Sequence, residues 1–363
     1  MSMRHSAASD KGRTKVLRHT EETDRTDRLR KSSDAQEVLR YSEQDTDFAR
    51  DVEYYLALEP RQLPSRYLYD ALGSALFDAI CELPWYRITR AELGLLDTHA
   101  REILALTAPP SGPLRIVELG PGNGTKLLTL IEAAQSPGHV RDVRSPHLEV
   151  HLIDVSANAL DQAGRALAGL DDVAIVKHQT TYEGGLDEIA RTGARTLVLF
   201  LGSNIGNFDR PGADEFLRAI RAALGPGDAL LVGVDLVKPE YELLLAYDDP
   251  LGITAAFNRN LLVRINRELG GDFDVDAFRH RAVWNRNESR VEMHLVSRRR
   301  QRVRIPAAHI DVTMKEGETI WTESSYKYEP DELAAVLEHT GFRPIESWLA
   351  AEERFLLTLV RAE

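Results

Sequence analysis

Glu118-Leu-Gly-Pro-Gly-Asn-Gly124 is the stretch that decides the fold. It follows the short apolar run Leu114-Arg-Ile-Val and precedes Leu127 to Ala134, where apolar residues recur at helical spacing. The motif is therefore the turn between a strand and a helix, and its glycines let backbone approach a ligand without a Cβ clash. Outward from it, Leu148–Asp154 reads as a strand, Ala157–Leu170 as a helix, and Val173–Val176 and Thr196–Gly202 as strands. Asp214–Leu224 is the next helix and Ala229–Asp235 the next strand. Strands this uniformly apolar, separated by amphipathic helices, predict a parallel sheet covered on both faces. Right-handed crossovers make it doubly wound, with ligands beyond the carboxyl ends of the strands. The expected class is α/β with a Rossmann-like sheet.

Toward the N-terminus, helices are predicted over Asp51–Leu58, over Ala71–Leu83 with Pro84 closing it, and from Arg90 to Leu106. After Asp235 the period changes. Residues 239–269 look helical, Arg279–Arg304 alternates as two hairpin-like strands, and Glu318–Tyr328 as another. This block, 236–327, makes most of a second domain. The α/β pattern returns with a helix over Glu332–Phe342 and strands over Ile345–Leu349 and Phe355–Val360. Residues 1–44 are crowded with charged and hydroxyl side chains without apolar period, the composition of a disordered tail.

Composition removes several classes of function. A formal net charge of −12 argues against a duplex nucleic-acid binder, which needs clustered positive surface. The lone cysteine, Cys81, excludes an intrachain disulfide and a cysteine-built metal site. No apolar run is long enough for a membrane span and no signal peptide opens the chain, so a cytoplasmic monomer without a metal is expected.

The glycine spacing is G-x-G-x-G, not the G-x-G-x-x-G of a dinucleotide site. With its preceding acid it resembles the first motif of S-adenosylmethionine-dependent methyltransferases. Asp154 ends the next strand, where a carboxylate can accept both ribose hydroxyls; it could equally be a helix N-cap, with Ser156 competing. Lys126 either approaches the cofactor's carboxylate or is solvated. Gly202-Ser-Asn-Ile-Gly-Asn-Phe208 lies at the sheet edge, where Asn207 can bind amine and carboxylate groups; Gly-Asn is also turn chemistry. In Trp321-Thr-Glu-Ser-Ser-Tyr-Lys-Tyr328, a strand period puts Glu323 and Ser325 on one face about 7 Å apart. That spacing suits the two ring nitrogens of an imidazole, or merely a polar face in water.

Further segments carry a more specific resemblance: Tyr67-Leu-Tyr-Asp-Ala-Leu-Gly-Ser, Leu83-Pro-Trp-Tyr, Thr89-Arg-Ala-Glu, Ala246-Tyr-Asp-Asp, Thr254-Ala-Ala-Phe-Asn-Arg-Asn and Glu323-Ser-Ser. With Glu118–Gly124, Asp154-Val-Ser and Leu201–Asn207, they make the chain from about Ser65 onward resemble bacterial L-histidine Nα-methyltransferases. Those enzymes form hercynine as the first step of ergothioneine biosynthesis. The resemblance implies that Gly120, Lys126 and Asp154 contact S-adenosylmethionine. It implies that Tyr86, Asn207 and Tyr247 hold the amino acid's amine and carboxylate, with Tyr69 beside them, Tyr69 and Asn207 being the catalytic candidates. Glu323 and Ser325 would select imidazole, and Met293 would pack on the ring. It also implies a second, α+β substrate domain built from the N-terminal helices and the insertion after the fifth strand, 45–91 with 236–327. The methyltransferase sheet then takes 92–235 and 328–363.

The chain departs from that family in three places. Thr181-Tyr182 stands where an Asp-Phe pair clamps adenine, Asn204 where the family has Thr, and Arg87-Ile88 where it has Tyr-Pro. Related fungal enzymes methylate tryptophan-type amines. Another amine substrate, or a catalytically inactive ligand-binding relative, therefore stays open beside L-histidine at this point.

Overall fold

A computed structural model describes residues 47–109, 113–135, 148–170, 173–189 and 194–363. The expected tail over 1–44 lies outside the described residues. Helix α1 covers 47–56, followed by β1 (Arg61–Gln62), α2 (Ala71–Cys81) and α3 (Ile88–Thr107). The α/β alternation is β2 (Leu114–Leu119), α4 (Thr125–Gln135), β3 (Leu148–Asp154), α5 (Ala157–Leu167), β4 (Val173–Gln179), α6 (Tyr182–Ile189), β5 (Arg195–Phe200), α7 (Arg210–Ala223) and β6 (Ala229–Asp235). The insertion contains α8 (Glu240–Tyr247), α9 (Ile253–Leu269), β7 (Phe278–Asn285), β8 (Arg290–Ser297), β9 (Gln301–Ile305), β10 (Ile310–Met314) and β11 (Thr319–Tyr326). The chain closes with α10 (Pro330–His339), β12 (Phe342–Ala350) and β13 (Phe355–Ala362).

The main sheet has seven strands in the order β12-β13-β6-β5-β2-β3-β4. β2 through β6 run parallel, and β13 and β12 join antiparallel at one edge. Both faces are covered, which is why the strands read as continuous apolar runs. Ile116, Leu197, Leu199 and Leu231 belong to one hydrophobic cluster with α3, α4 and α5. Their neighbours Val117, Val198, Phe200 and Val232 belong to the other, with α6, α7 and α10. β4 differs. As the edge strand it is only half-buried, and Val176 is exposed, because no strand lies beyond it.

Strands β11, β8 and β7 of the insertion form a second sheet with β1 from the N-terminal segment, in the order β1-β11-β8-β7, and β9 and β10 make a separate ladder. Two sequence readings are corrected here. Arg279–Arg304 holds three strands, not two, because β9 leaves the sheet and pairs with β10. The helical stretch 239–269 is broken: Gly252 sits at φ +76°, and the Asp249 carboxylate accepts from the Ile253 and Thr254 N–H groups to start α9 afresh. One hydrophobic cluster runs from the α3 face of the main sheet into this sheet and its helices, joining Ile116 and Leu96 to Phe257, Met293 and Ile320. The second sheet is thereby held over the carboxyl ends of β5 and β6.

Candidate active site

The turn after β2 is built as its glycines require. Gly120, Gly122 and Gly124 have φ of +72°, +56° and +79°, where a Cβ is strained. A Cβ on Gly124 would stand 2.7 Å from the Ala163 Cα, so this glycine lets α5 lie directly on the turn. One on Gly120 would meet the Tyr182 hydroxyl at 2.6 Å and Asn204 Nδ2 at 3.3 Å. The Tyr182 ring is held against Phe200 and Phe216 and cannot retreat. Gly120→Ala is accordingly expected to weaken S-adenosylmethionine binding at least about tenfold, measured by calorimetry, with the fold retained.

Three further groups complete this side. Asp154 ends β3 and accepts from the Ser156 N–H at 2.8 Å, while Ser156 itself caps α5. The helix cap is therefore the serine's task, and burial pushes the Asp154 pKa up. Glu118 is buried, its carboxyl is pushed up to about 8 by desolvation, and its Oε2 has no hydrogen-bond partner in the protein. A cationic ligand fits beside such a group better than a phosphate. Thr181 is exposed, and its hydroxyl accepts from the Gly184 N–H at 3.2 Å. Lys126 reaches Glu92, its Nζ 2.7 Å from the carboxylate.

Glu92 was not singled out from the sequence, though it ends the Thr89-Arg-Ala-Glu motif. It is fully buried on α3, and both of its oxygens accept from the Gly202 N–H, at 2.9 and 2.8 Å. A Cβ on Gly233 would lie 1.9 Å from Glu92 Oε1, so that mid-strand glycine makes room for the carboxylate.

Beyond Gly202 the chain makes one 3₁₀ turn, Asn204–Asn207, so the turn reading and the site reading of this segment both hold. Gly206 lies so close to β11 that a Cβ would meet the Tyr326 carbonyl at 2.6 Å, which draws Asn207 beside the second sheet. The resulting cavity, about 490 Å³ with its open side included, is lined by Tyr69, Tyr86, Asn207, Tyr247, Met293, Glu323 and Ser325. All seven candidates from the substrate side meet in it. Asn207 is exposed, at the open side, whereas Tyr86, Tyr247, Met293 and Ser325 are buried. Phe77, Phe257 and Thr254, to which the sequence assigned no role in substrate binding, also line it, as do Gly202 and Asn204 of the segment after β5. Asn204 thus touches both the cavity and the Gly120 turn. Arg87 does not take part; its guanidinium goes to the Glu352 carbonyl and the Glu242 carboxylate.

The wall formed by β11 is electrostatically specific. Burial raises the Glu323 carboxyl to about 7, and Lys327 pulls it back only in part. Tyr69, Tyr86 and Tyr247 all have hydroxyl pKa values raised by burial, so they remain protonated at neutral pH. Tyr247 donates to Ser325 Oγ at 2.8 Å.

A family model for histidine-specific, S-adenosylmethionine-dependent methyltransferases matches residues 48–362. This chain belongs to that family. Among its relatives is the histidine N-alpha-methyltransferase of Mycolicibacterium smegmatis, 41% identical over 85% of this chain and 93% of that protein. Ergothioneine biosynthesis protein 1 of Neurospora crassa is 30% identical over 84% of this chain and 33% of its own length. An L-tryptophan methyltransferase of Psilocybe serbica is 27% identical over 83% of this chain and 88% of that one. The methyltransferase is thus an enzyme using S-adenosylmethionine as methyl donor. Among its described residues no group of His, Cys, Asp and Glu side chains is arranged to hold a metal, and no helix is long and apolar enough to cross a membrane.

Proposed function

We propose that this enzyme transfers methyl groups to the α-amino nitrogen of free L-histidine, three in succession, giving hercynine and so opening ergothioneine biosynthesis. The observation that carries this reading is one cavity whose lining brings Asn207, which is exposed, together with Glu323 and Ser325 of β11. Glu323 would accept from one ring N–H and Ser325 would serve the other nitrogen. Met293 would pack on the ring, and Tyr86, Tyr247 and Asn207 would hold the amine and carboxylate, with Tyr69 beside the nitrogen. Gly120, Asp154, Tyr182 and Lys126, with Thr181 at the rim, would hold S-adenosylmethionine. When bound, that molecule supplies an electrophilic methyl on a sulfonium.

The chain's own part is positioning. The attacking nitrogen must be neutral, with its lone pair held in line about 3 Å from the methyl carbon. Protonated tyrosine hydroxyls and the Asn207 carbamoyl oxygen can accept from amine N–H groups and so aim that lone pair. No covalent intermediate with the protein is required. An L-tryptophan side chain would fit less well, since an indole leaves Ser325 without a ring acceptor in a desolvated wall. A free amino-acid substrate and a single cysteine support a cytoplasmic setting.

The deciding experiment supplies labelled S-adenosylmethionine with single amino acids. Labelled hercynine from histidine is expected; turnover on another amine with none on histidine would overturn the assignment. A second expectation follows from Glu323. Burial raises its carboxyl to about 7, and the ionised form accepts from the ring N–H more strongly than the neutral acid, so histidine affinity rises as pH increases toward that value. Glu323→Gln keeps an acceptor oxygen without the titration. In a plot of log Kd against pH below about 6, its slope is expected to be shallower than wild type by about one proton.

A further inference from the structure

Lys327 follows β11 and is completely buried, although nothing in the methyl-transfer chemistry calls for a lysine. Its ammonium has three protons and three acceptors: the Asp235 carboxylate at 2.9 Å, Tyr247 Oη at 2.8 Å and Ser325 Oγ at 2.9 Å. Asp235 ends β6 in the main sheet, and a second cation, Lys238, stands 2.6 Å from its other oxygen. Lys238 in turn donates to the Glu353 carbonyl. The chain beyond Lys327 is tied to the same place, because the Tyr328 N–H donates to the Asp235 carbonyl at 3.2 Å. The network therefore anchors the β11 wall of the cavity to the end of a sheet strand.

Its consequence is directional. An ammonium can only donate, so Tyr247 and Ser325 both accept from Lys327. Between two hydroxyls that both accept from Lys327, the more acidic phenol is the donor, so Tyr247 spends its own proton on Ser325 Oγ, 2.8 Å away. Ser325 Oγ has two lone pairs, and both are filled by these donors. Only its hydrogen remains, and Ser325 lines the cavity.

We infer that Lys327 is a specificity-determining positioning residue: by donating to Tyr247 and Ser325 together, it leaves the Ser325 hydroxyl able only to donate into the cavity. The site then reads a ring nitrogen that carries a lone pair, opposite the acceptor Glu323. A neutral imidazole offers both features, whereas an indole or pyrrole offers an N–H alone. This inference rests on the histidine reading above and deepens it. Without the lysine, Ser325 could rotate and accept as readily as donate, and the preference for a ring acceptor would fade.

The test compares the wild-type chain, Ser325→Ala, and Lys327→Met, which takes out the donor while Asp235 stays paired with Lys238. Each is assayed with L-histidine and with both pyrrolylalanine isomers, in which one or the other ring nitrogen is a C–H. S-adenosylmethionine binding is measured beside them. Wild type is expected to prefer histidine over the better isomer at least about tenfold in kcat/KM. That preference should collapse to within about threefold in both variants, with cofactor affinity within twofold of wild type. Replacing the lysine in the Ser325→Ala background should add little.

A preference that survives in the lysine variant overturns the inference, as does a parallel loss of histidine and cofactor binding. Should the lysine variant not fold, the other two proteins still decide: no preference in wild type, or full preference in Ser325→Ala, sinks the donor assignment. A wild-type chain that methylates no histidine at all is a different failure. It overturns the proposed function itself, and shows before any variant is made.

Discussion

Replacing Glu323 with alanine is expected to raise KM for histidine about 100-fold while changing S-adenosylmethionine affinity less than twofold. In the proposed reading the carboxylate is the acceptor for the ring N–H; it lines the cavity and is enclosed enough that its pKa rises to about 7. A hydrogen bond to a charged group in such a setting contributes about 1.5–3 kcal/mol, which corresponds to roughly 10- to 150-fold in affinity. Alanine leaves the ring N–H of the substrate desolvated with no partner, which puts the effect near the upper end. The turn glycines proposed to hold the cofactor lie across Asn204 from Glu323, so their ligand should hardly register the change. Equal losses of both ligands, measured by steady-state kinetics and calorimetry, would show that Glu323 supports the fold instead.

Glu92→Ala is expected to lower the free energy of unfolding by about 3 kcal/mol and to weaken cofactor binding at the same time. The substitution strands the Gly202 N–H and removes the counter-charge of Lys126. Breaking a buried ion pair from one side costs about 3–5 kcal/mol; Lys126 is partly solvent-accessible and can rehydrate, so the lower figure applies. Urea denaturation with and without S-adenosylmethionine checks both parts. An unfolding midpoint equal to that of the wild type would mean the carboxylate is not what holds Gly202 in place.

The two residues differ in how far they could be read from sequence. Glu323 sits on a strand with Ser325 two positions on, and strand periodicity alone puts both on one face. That face could as well have been solvated; only the resemblance to histidine methyltransferases gave it a ligand. Glu92 gives no such signal. On α3 it stands among apolar residues as one more helix glutamate, and its partner Gly202 is 110 residues away in the chain. Its place in the Thr89-Arg-Ala-Glu motif and the mid-strand glycine Gly233 were its visible traces, and neither names what the carboxylate binds.

The break within 239–269 and the third strand of the insertion were missed for a related reason. Gly252 inside a helical pattern is tolerated as often as it terminates. Asp249 decides the matter by capping α9, and which side chain will cap is a question of backbone geometry. β9 carries the same alternation as β7 and β8, but alternation says nothing about which neighbour a strand takes.

By itself the sequence determined the doubly wound sheet, the strand order of its elements along the chain, the glycine turn and the acid after β3. Those features follow from periodicity and from glycine's missing Cβ, both of which act over a few residues. Only the tertiary structure decided that Tyr69, Tyr86, Asn207, Tyr247 and Glu323 share one cavity, that Glu92 holds Gly202, and that Lys327 fills the lone pairs of Ser325. A buried polar group must find a partner wherever the closed chain offers one, and which distant residue arrives there is settled by packing, not by local spacing.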